Sequence, residues 1–177
     1  MSFPKRNLVL VGPTGAGKTS IGKMLAQALD WQFIDLDRLI ERRVGASIPQ
    51  IFAEKDEPYF RKRESEALVE ALAQHQVVIA TGAGCVLSET NRQRMRELGC
   101  VVYLQLDVEQ QLQRLKRDTT RPLLQRSDRE QVLWQMAQVR DPLYADVAHL
   151  TFHNTIARSS RAACAQLLTQ MKYEWHD

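Results

Sequence analysis

The sequence predicts a three-layer α/β domain, a parallel sheet covered by helices on both faces. Three observations point to it. Short β-rich apolar runs alternate with longer segments of helical period. A glycine-rich turn joins the first run to the first helical segment, and no repeat, low-complexity tract or linker divides the 177 residues. That length fits one domain on the prior of about 100–200 residues per domain.

The elements follow in order. Leu8–Val11 is an unbroken apolar run ended by Gly12-Pro13 and reads as the first strand. Ile21, Leu25, Ala28 and Leu29 share one face of a first helix. Phe33–Ile34 is the second strand, and Phe60, Ala67, Leu68, Ala71 and Leu72 share one face of a long helix. Val77–Ala80 is the third strand. Ser88 then caps a helix that Gly99 ends, leading into a fourth strand at Val101–Leu106. Lys116–Asp128 has no clean period, contains Pro122 and is long for a connection in a compact domain, a type of loop that is commonly mobile and functional. Leu150–Phe152 is the fifth strand.

Composition excludes several classes. Apolar residues make up 44% and charged residues 25%, which disfavours disorder, collagen-like repeats and coiled coil. Cys85, Cys100 and Cys164 are odd in number, widely spaced and without a CxxC, so they read as buried small hydrophobes in a reducing compartment. Neither a secretory leader nor an apolar run near the ~18 residues of a membrane span is present, and a cytoplasmic enzyme without membrane partners is expected. The net charge of +3 is too mild for a dedicated nucleic-acid binder. The excess is concentrated between Arg114 and Arg129, where six basic residues face two acidic ones. Trp31, Trp134 and Trp175 read as packing residues, and the four histidines share no metal-ligand spacing.

The strongest motif is Gly12-Pro13-Thr14-Gly15-Ala16-Gly17-Lys18-Thr19, placed after a strand and before a helix. It matches the phosphate-binding P-loop in residues and in context. Glycines let successive backbone N–H groups turn inward around phosphate oxygens, and the helix N-terminus adds partial positive charge. Lys18 supplies a point charge to the same oxygens, and the Thr19 hydroxyl suits the magnesium that accompanies ATP. GTPase features are missing: the chain has no Asn-Lys-x-Asp, and no aspartate is followed by glycine three residues later. Instead Asp35-Leu36-Asp37 follows the second strand. If the segment is extended, both carboxylates project to one side at the end of the sheet where α/β folds bind ligands, one toward magnesium and one toward a substrate hydroxyl. The alternative is that Asp37 caps the helix that follows.

These residues, taken together, resemble the shikimate kinase family. The resemblance rests on the P-loop, Asp35-Leu36-Asp37, Gly45–Phe52, Phe60-Arg61 with Glu64, Thr81-Gly82-Ala83-Gly84, Thr120–Leu124 and Arg140-Asp141-Pro142-Leu143-Tyr144, in the family's order and over nearly the whole chain. It implies a P-loop kinase fold with strand order 2-3-1-4-5, working as a monomer, with ATP and Mg2+ as cofactors and shikimate as the acceptor. It implies a substrate-binding helical segment at about 36–62 and a mobile lid at about 116–128 that brings in Arg121. Lys18, Asp37 and Arg121 would be catalytic. Nucleotide binding would involve Gly12, Gly15, Ala16, Gly17, Lys18, Thr19, Ser20, Arg114 and Arg121, with Thr19 and Asp35 at the metal. Arg61 and Arg140 would hold the shikimate carboxylate, Glu64 would orient Arg61, and Arg114 would pack on adenine. Asp37, Gly82, Ala83 and Gly84 would complete the substrate site. The family shows three glycines where this chain has Gly82-Ala83-Gly84; alanine keeps the backbone contact provided its φ is negative. An adenine contact after the fifth strand is not assignable among His153, Asn154, Thr155 and Arg158. The competing readings are a gluconate-type kinase on the same fold and an RNA-associated protein that kept the P-loop.

Overall fold

The computed structural model describes residues 7–116 and 128–175. Five strands form one sheet: β1 (Asn7–Val11), β2 (Gln32–Asp35), β3 (Val77–Ala80), β4 (Gly99–Gln105) and β5 (Leu150–His153). Their spatial order is β2-β3-β1-β4-β5 and every pairing is parallel, as expected. The central strands are buried on both faces, which is why Leu8–Val11 of β1 and all of β3 are continuous apolar runs rather than alternating ones.

Alternate residues of each strand feed two cores. Val9, Val11, Ile79, Val101 and Tyr103 face one side. There they meet α2 (Leu36–Val44), α3 (Ile48–Glu54), α4 (Glu57–Leu72), α5 (Glu89–Leu98) and α7 (Arg129–Val147). Leu8, Leu10, Val78, Val102 and Leu104 face the other, under α1 (Lys18–Leu29) and α8 (Ser160–Glu174). A short α6 (Val108–Arg114) follows β4. At Gly22 an added Cβ would come within 2.6 Å of the Phe33 ring, so the glycine lets α1 lie close on the sheet. Asn7 ties the sheet to the end of α4: its Nδ2 donates to the Leu72 and Gln74 carbonyls and its Oδ1 accepts from Val77 N–H.

The capping expectation holds in detail, since the Ser88 side chain accepts from Asn91 N–H and the Gly99 N–H bonds to the Met95 carbonyl. Gly99 is extended rather than left-handed, however, because it is already the first residue of β4. All three cysteines are free and buried. Trp31 and Trp175 pack against the second core, whereas Trp134 is 45% exposed and departs from the packing role expected of it. Among the described residues no helix is long and apolar enough to cross a membrane.

The chain order defines the site. From β1 it crosses to β2 and β3 on one side, then from β3 to β4 and β5 on the other, so a crevice opens beyond the carboxyl ends of the strands at β1. The loops after β1, β3 and β4 line a cleft there together with α7.

Candidate active site

The first loop, between β1 and α1, requires glycine for reasons of space and backbone. Gly12 has φ +143°, and a Cβ there would stand 2.5 Å from the Leu104 carbonyl oxygen. Gly17, the N-cap of α1, has φ +96°, which an L side chain rarely adopts. Lys18 reaches back over this loop, its Nζ donating to the carbonyls of Gly12 at 2.7 Å and Pro13 at 2.8 Å. Ala16 is buried and Ser20 exposed on the first turn of α1. Arg114, at the end of α6, donates through Nη1 to the Gly15 carbonyl at 2.7 Å and through Nη2 to the Thr155 carbonyl at 3.0 Å. Burial lowers its affinity for its proton below the usual arginine range.

Asp35 and Asp37 are separated, correcting the extended-segment argument. Asp35 ends β2 and is itself the N-cap of α2, accepting from Arg38 N–H, while Asp37 sits in the first turn of that helix. The cap expected as an alternative for Asp37 therefore belongs to Asp35. The other Asp35 oxygen accepts from the Thr19 hydroxyl at 2.7 Å, which joins the end of β2 to the P-loop helix. Asp37 turns instead toward the loop after β3: its Oδ1 lies 3.1 Å from the place a Cβ on Gly82 would occupy.

That loop meets α4. Glu64 is only 1% exposed, and its Oε1 lies 2.6 Å from the same Gly82 position without a hydrogen-bond partner of its own. Its Oε2 accepts from Arg61 Nη1 at 2.8 Å. Arg61 also donates through Nε and Nη2 to Glu57 Oε1 and packs over the Phe60 ring, so its guanidinium is braced on three sides. The same guanidinium fills the space beside Gly84, where any Cβ would overlap it. Burial pushes the Glu64 carboxyl up, an effect that Arg61 and Arg140 partly offset and that the Asp37 charge reinforces. Burial opposes the Arg61 charge, but the Glu64 and Glu57 carboxylates more than compensate and raise its pKa. Buried Cys85 is driven well above the ordinary thiol range by burial and then by Glu64.

Arg140 projects from α7 close enough to act electrostatically on both Glu64 and Tyr144. Tyr144 donates its hydroxyl to the Ala83 carbonyl at 2.5 Å, tying the helix that carries Arg140 to the loop after β3. Ala83 is not among the residues with positive φ, so the condition set for alanine at this position is met. Pro13, Thr14, Ala83, Arg140 and Tyr144 line one continuous cleft, which brings the P-loop beside the Arg61–Asp37 cluster's own loop. Tyr144 and Asn154 are the residues whose contacts sequence reasoning missed: Tyr144 stands in a quoted motif without a role, and Asn154 bonds to a residue 138 positions away. Arg121 and nearly all of the segment 116–128 lie outside the described residues.

Comparison with known proteins identifies the family. The family model described as shikimate kinase matches residues 14–172. The chain is 50% identical over 172 residues to a shikimate kinase of Xanthomonas campestris pv. campestris, covering 97% of this chain and 95% of that protein. Its structure superposes on shikimate kinase from Acinetobacter baumannii in complex with shikimate with a TM-score of 0.88 at 42% identity, covering 96% of this chain and 93% of that one. A gluconokinase from Sinorhizobium meliloti, covering 99% of this chain and 100% of its own, shares the fold at a TM-score of 0.54 but is only 19% identical. The chain belongs to the shikimate kinase family, P-loop enzymes that use ATP to phosphorylate shikimate.

Proposed function

We propose that this chain transfers the γ-phosphoryl group of ATP to the 3-hydroxyl of shikimate, giving shikimate 3-phosphate and ADP, with the roles divided as follows. The observation that carries the reading is the braced arginine: Arg61, held by Glu64 and Glu57 beside Gly84, presents a planar cation at the carboxyl end of the sheet. A fork of fixed N–H donors matches a planar carboxylate in two-point contact. Arg140 supplies a second cation to the same small acid, which is why a neutral sugar is a poor fit.

Asp37 accepts a hydrogen bond from the attacked hydroxyl and takes its proton as the phosphoryl group transfers. In a loose transition state that proton leaves late, so orienting the hydroxyl is as much the work of Asp37 as removing its proton. The backbone of Gly82, Ala83 and Gly84 borders the acceptor. Gly12, Gly15, Ala16, Gly17 and Lys18 cradle the ATP phosphates, with Ser20 at the start of the helix. Arg114 serves adenine through the face of its guanidinium, since two of its edge donors are held by backbone carbonyls. Arg121, outside the described residues, is assigned the charge of the transferring phosphoryl group.

The Thr19 hydroxyl and the Asp35 carboxylate stand 2.7 Å apart. They are hard oxygen donors of the kind Mg2+ takes, so the donor set fits and these two residues would hold the ion. When bound, Mg2+ neutralises phosphate charge.

A coupled assay of ADP release with Mg·ATP tests the reading, run with shikimate, quinate, gluconate, AMP and no acceptor. Turnover confined to shikimate is expected. Turnover on gluconate instead of shikimate would reassign Arg61 and Arg140, and an ATP-independent affinity for RNA with no turnover would replace the kinase reading altogether.

A further inference from the structure

Asn154 follows β5 and is 5% exposed, yet its backbone N–H and both polar atoms of its side chain are engaged. Its backbone N–H donates to the Gln105 carbonyl at 2.9 Å, its Oδ1 accepts from Thr155 N–H at 2.9 Å, and its Nδ2 donates to the Ala16 carbonyl at 2.9 Å. The same Nδ2 lies 3.6 Å from where a Cβ on Gly17 would stand, directly under the turn that opens α1. We propose that Asn154 is a positioning residue for the nucleotide, orienting the P-loop from beneath through its hydrogen bond to the Ala16 carbonyl.

The Ala16–Gly17 peptide is trans, so its carbonyl and the Gly17 N–H point in opposite directions. A carbonyl fixed on Asn154 therefore fixes the Gly17 N–H on the far side, away from the interior and toward the N-terminal opening of α1. The loop needs such a tether. Gly12, Gly15 and Gly17 all have left-handed φ, and glycine has the most conformational freedom to lose on ordering. A peptide free to rotate would bind phosphate only after that freedom was given up, at a cost in affinity.

The support beneath is itself held. Ile156 N–H donates to Gln110 Oε1 at 2.9 Å, and Arg114 joins the Thr155 carbonyl to the Gly15 carbonyl. The loop after β5 is thus fixed to α6 on one side and to the P-loop on the other. Asn154 is the member of this bracket that is buried under the Ala16–Gly17 peptide, and it sits apart from the Arg61–Glu64 cluster.

The inference rests on the P-loop being the ATP site, and the test separates the two. Mg·ADP affinity is measured by calorimetry, and KM for ATP and for shikimate by ADP release, in the parent, Asn154→Ala and Asn154→Asp. Loss of the donor to a buried carbonyl in Asn154→Ala is expected to weaken Mg·ADP and raise the ATP KM roughly tenfold, with the shikimate KM changed by less than about twofold. In Asn154→Asp an ionised carboxylate cannot donate to the Ala16 carbonyl, whereas the neutral acid can. Its Mg·ADP affinity should therefore be low at about pH 8 and recover toward the parent as pH falls, while the ratio of Asn154→Ala to parent stays flat. Parental ADP affinity in a folded Asn154→Ala, equal increases in both KM values, or a pH-independent Asn154→Asp would each overturn the proposal. If Asn154→Ala fails to fold, the pH series of Asn154→Asp decides alone. A parent protein that does not bind Mg·ADP would remove the P-loop reading itself, and this inference with it.

Discussion

The nucleotide side of the crevice is built from backbone and the acceptor side from charged side chains. Around the P-loop the contacts run through the carbonyls of Gly12, Pro13, Gly15 and Ala16, held by Lys18, Arg114 and Asn154. Beyond the ends of β2 and β3 they run through Asp37, Arg61 and Glu64, a carboxylate–guanidinium cluster with one carboxylate almost fully buried. Peptide groups carry no titratable charge, so their own part in holding an anion does not change with pH. Side-chain charges discriminate better between acceptors, because on the proposed roles an acceptor without a carboxylate forgoes its contacts with both Arg61 and Arg140. They do so at a desolvation cost that appears in the raised Glu64 pKa. On the proposed roles, phosphate binding rests mainly on the backbone together with Lys18, and substrate choice on side chains.

The division predicts that each half is damaged separately. The largest effect is expected from Asp37→Asn, which keeps the size of the side chain and its place in α2 but removes the proposed proton acceptor. Turnover should fall about 10²–10⁴-fold while Mg·ADP affinity stays near the parent's. Unchanged turnover would end the role assigned to Asp37, and a parallel loss of ADP affinity would show that the halves are one unit. The next effect comes from Gly84→Ala. The new methyl overlaps the Arg61 guanidinium, which must leave its braced position beside Glu64 and Glu57. Shikimate KM should rise about 10–100-fold with the ATP KM nearly constant, since hydrogen bonds to charged groups are worth about 1.5–3 kcal/mol. A change confined to ATP would show that Arg61 serves the other half.

Glu64 gives the comparison a pH signature. Burial raises its folded-state pKa above the ordinary glutamate value, with Arg61 offsetting only part of the shift. Relative to the unfolded chain, the fold therefore shifts this group toward its neutral form. The stability this group contributes is complete below the ordinary glutamate range and is lost as pH rises through the raised folded value. Glu64→Gln cannot ionise and escapes that loss. Denaturant midpoints of variant and parent should then diverge in the variant's favour as pH rises across this window. A difference that stays constant would mean that Glu64 ionises in the fold as it does in the unfolded chain.

Much of the nucleotide half was legible because a P-loop is a local pattern: strand, glycines, lysine and helix are contiguous over about a dozen residues. The five strands were legible for a similar reason, since buried parallel strands show as unbroken apolar runs. β2 was read short because Gln32 and Asp35 are polar residues on an edge strand. The acceptor half was legible only through resemblance. Glu64 lies among Arg61, Lys62 and Arg63, a run that reads as solvated surface, and nothing local signals that it is 1% exposed. Asp35 and Asp37 do not share one side as an extended segment would have placed them, because α2 already begins at Leu36. Asn154 was out of reach for sequence reasoning altogether, as its partner Ala16 is brought to it only by the sheet order.

The smallest effect is expected at Ala83, where the comparison between backbone and side chain is sharpest within three residues. A methyl on Gly82 would press on the Glu64 and Asp37 carboxylates, and one on Gly84 would press on Arg61. The middle position differs from both: its φ is not positive, and its carbonyl accepts from the Tyr144 hydroxyl whatever side chain it has. The methyl in this chain therefore leaves the hydrogen bond intact while restricting the unfolded chain. Ala83→Gly should keep kcat and both KM values within about twofold of the parent. It should also lower stability by about 0.4–1 kcal/mol, visible as a melting temperature a few degrees lower. A marked gain in shikimate affinity in Ala83→Gly would instead show that the methyl intrudes on the acceptor, and would move this position from the backbone side of the division to the side chains.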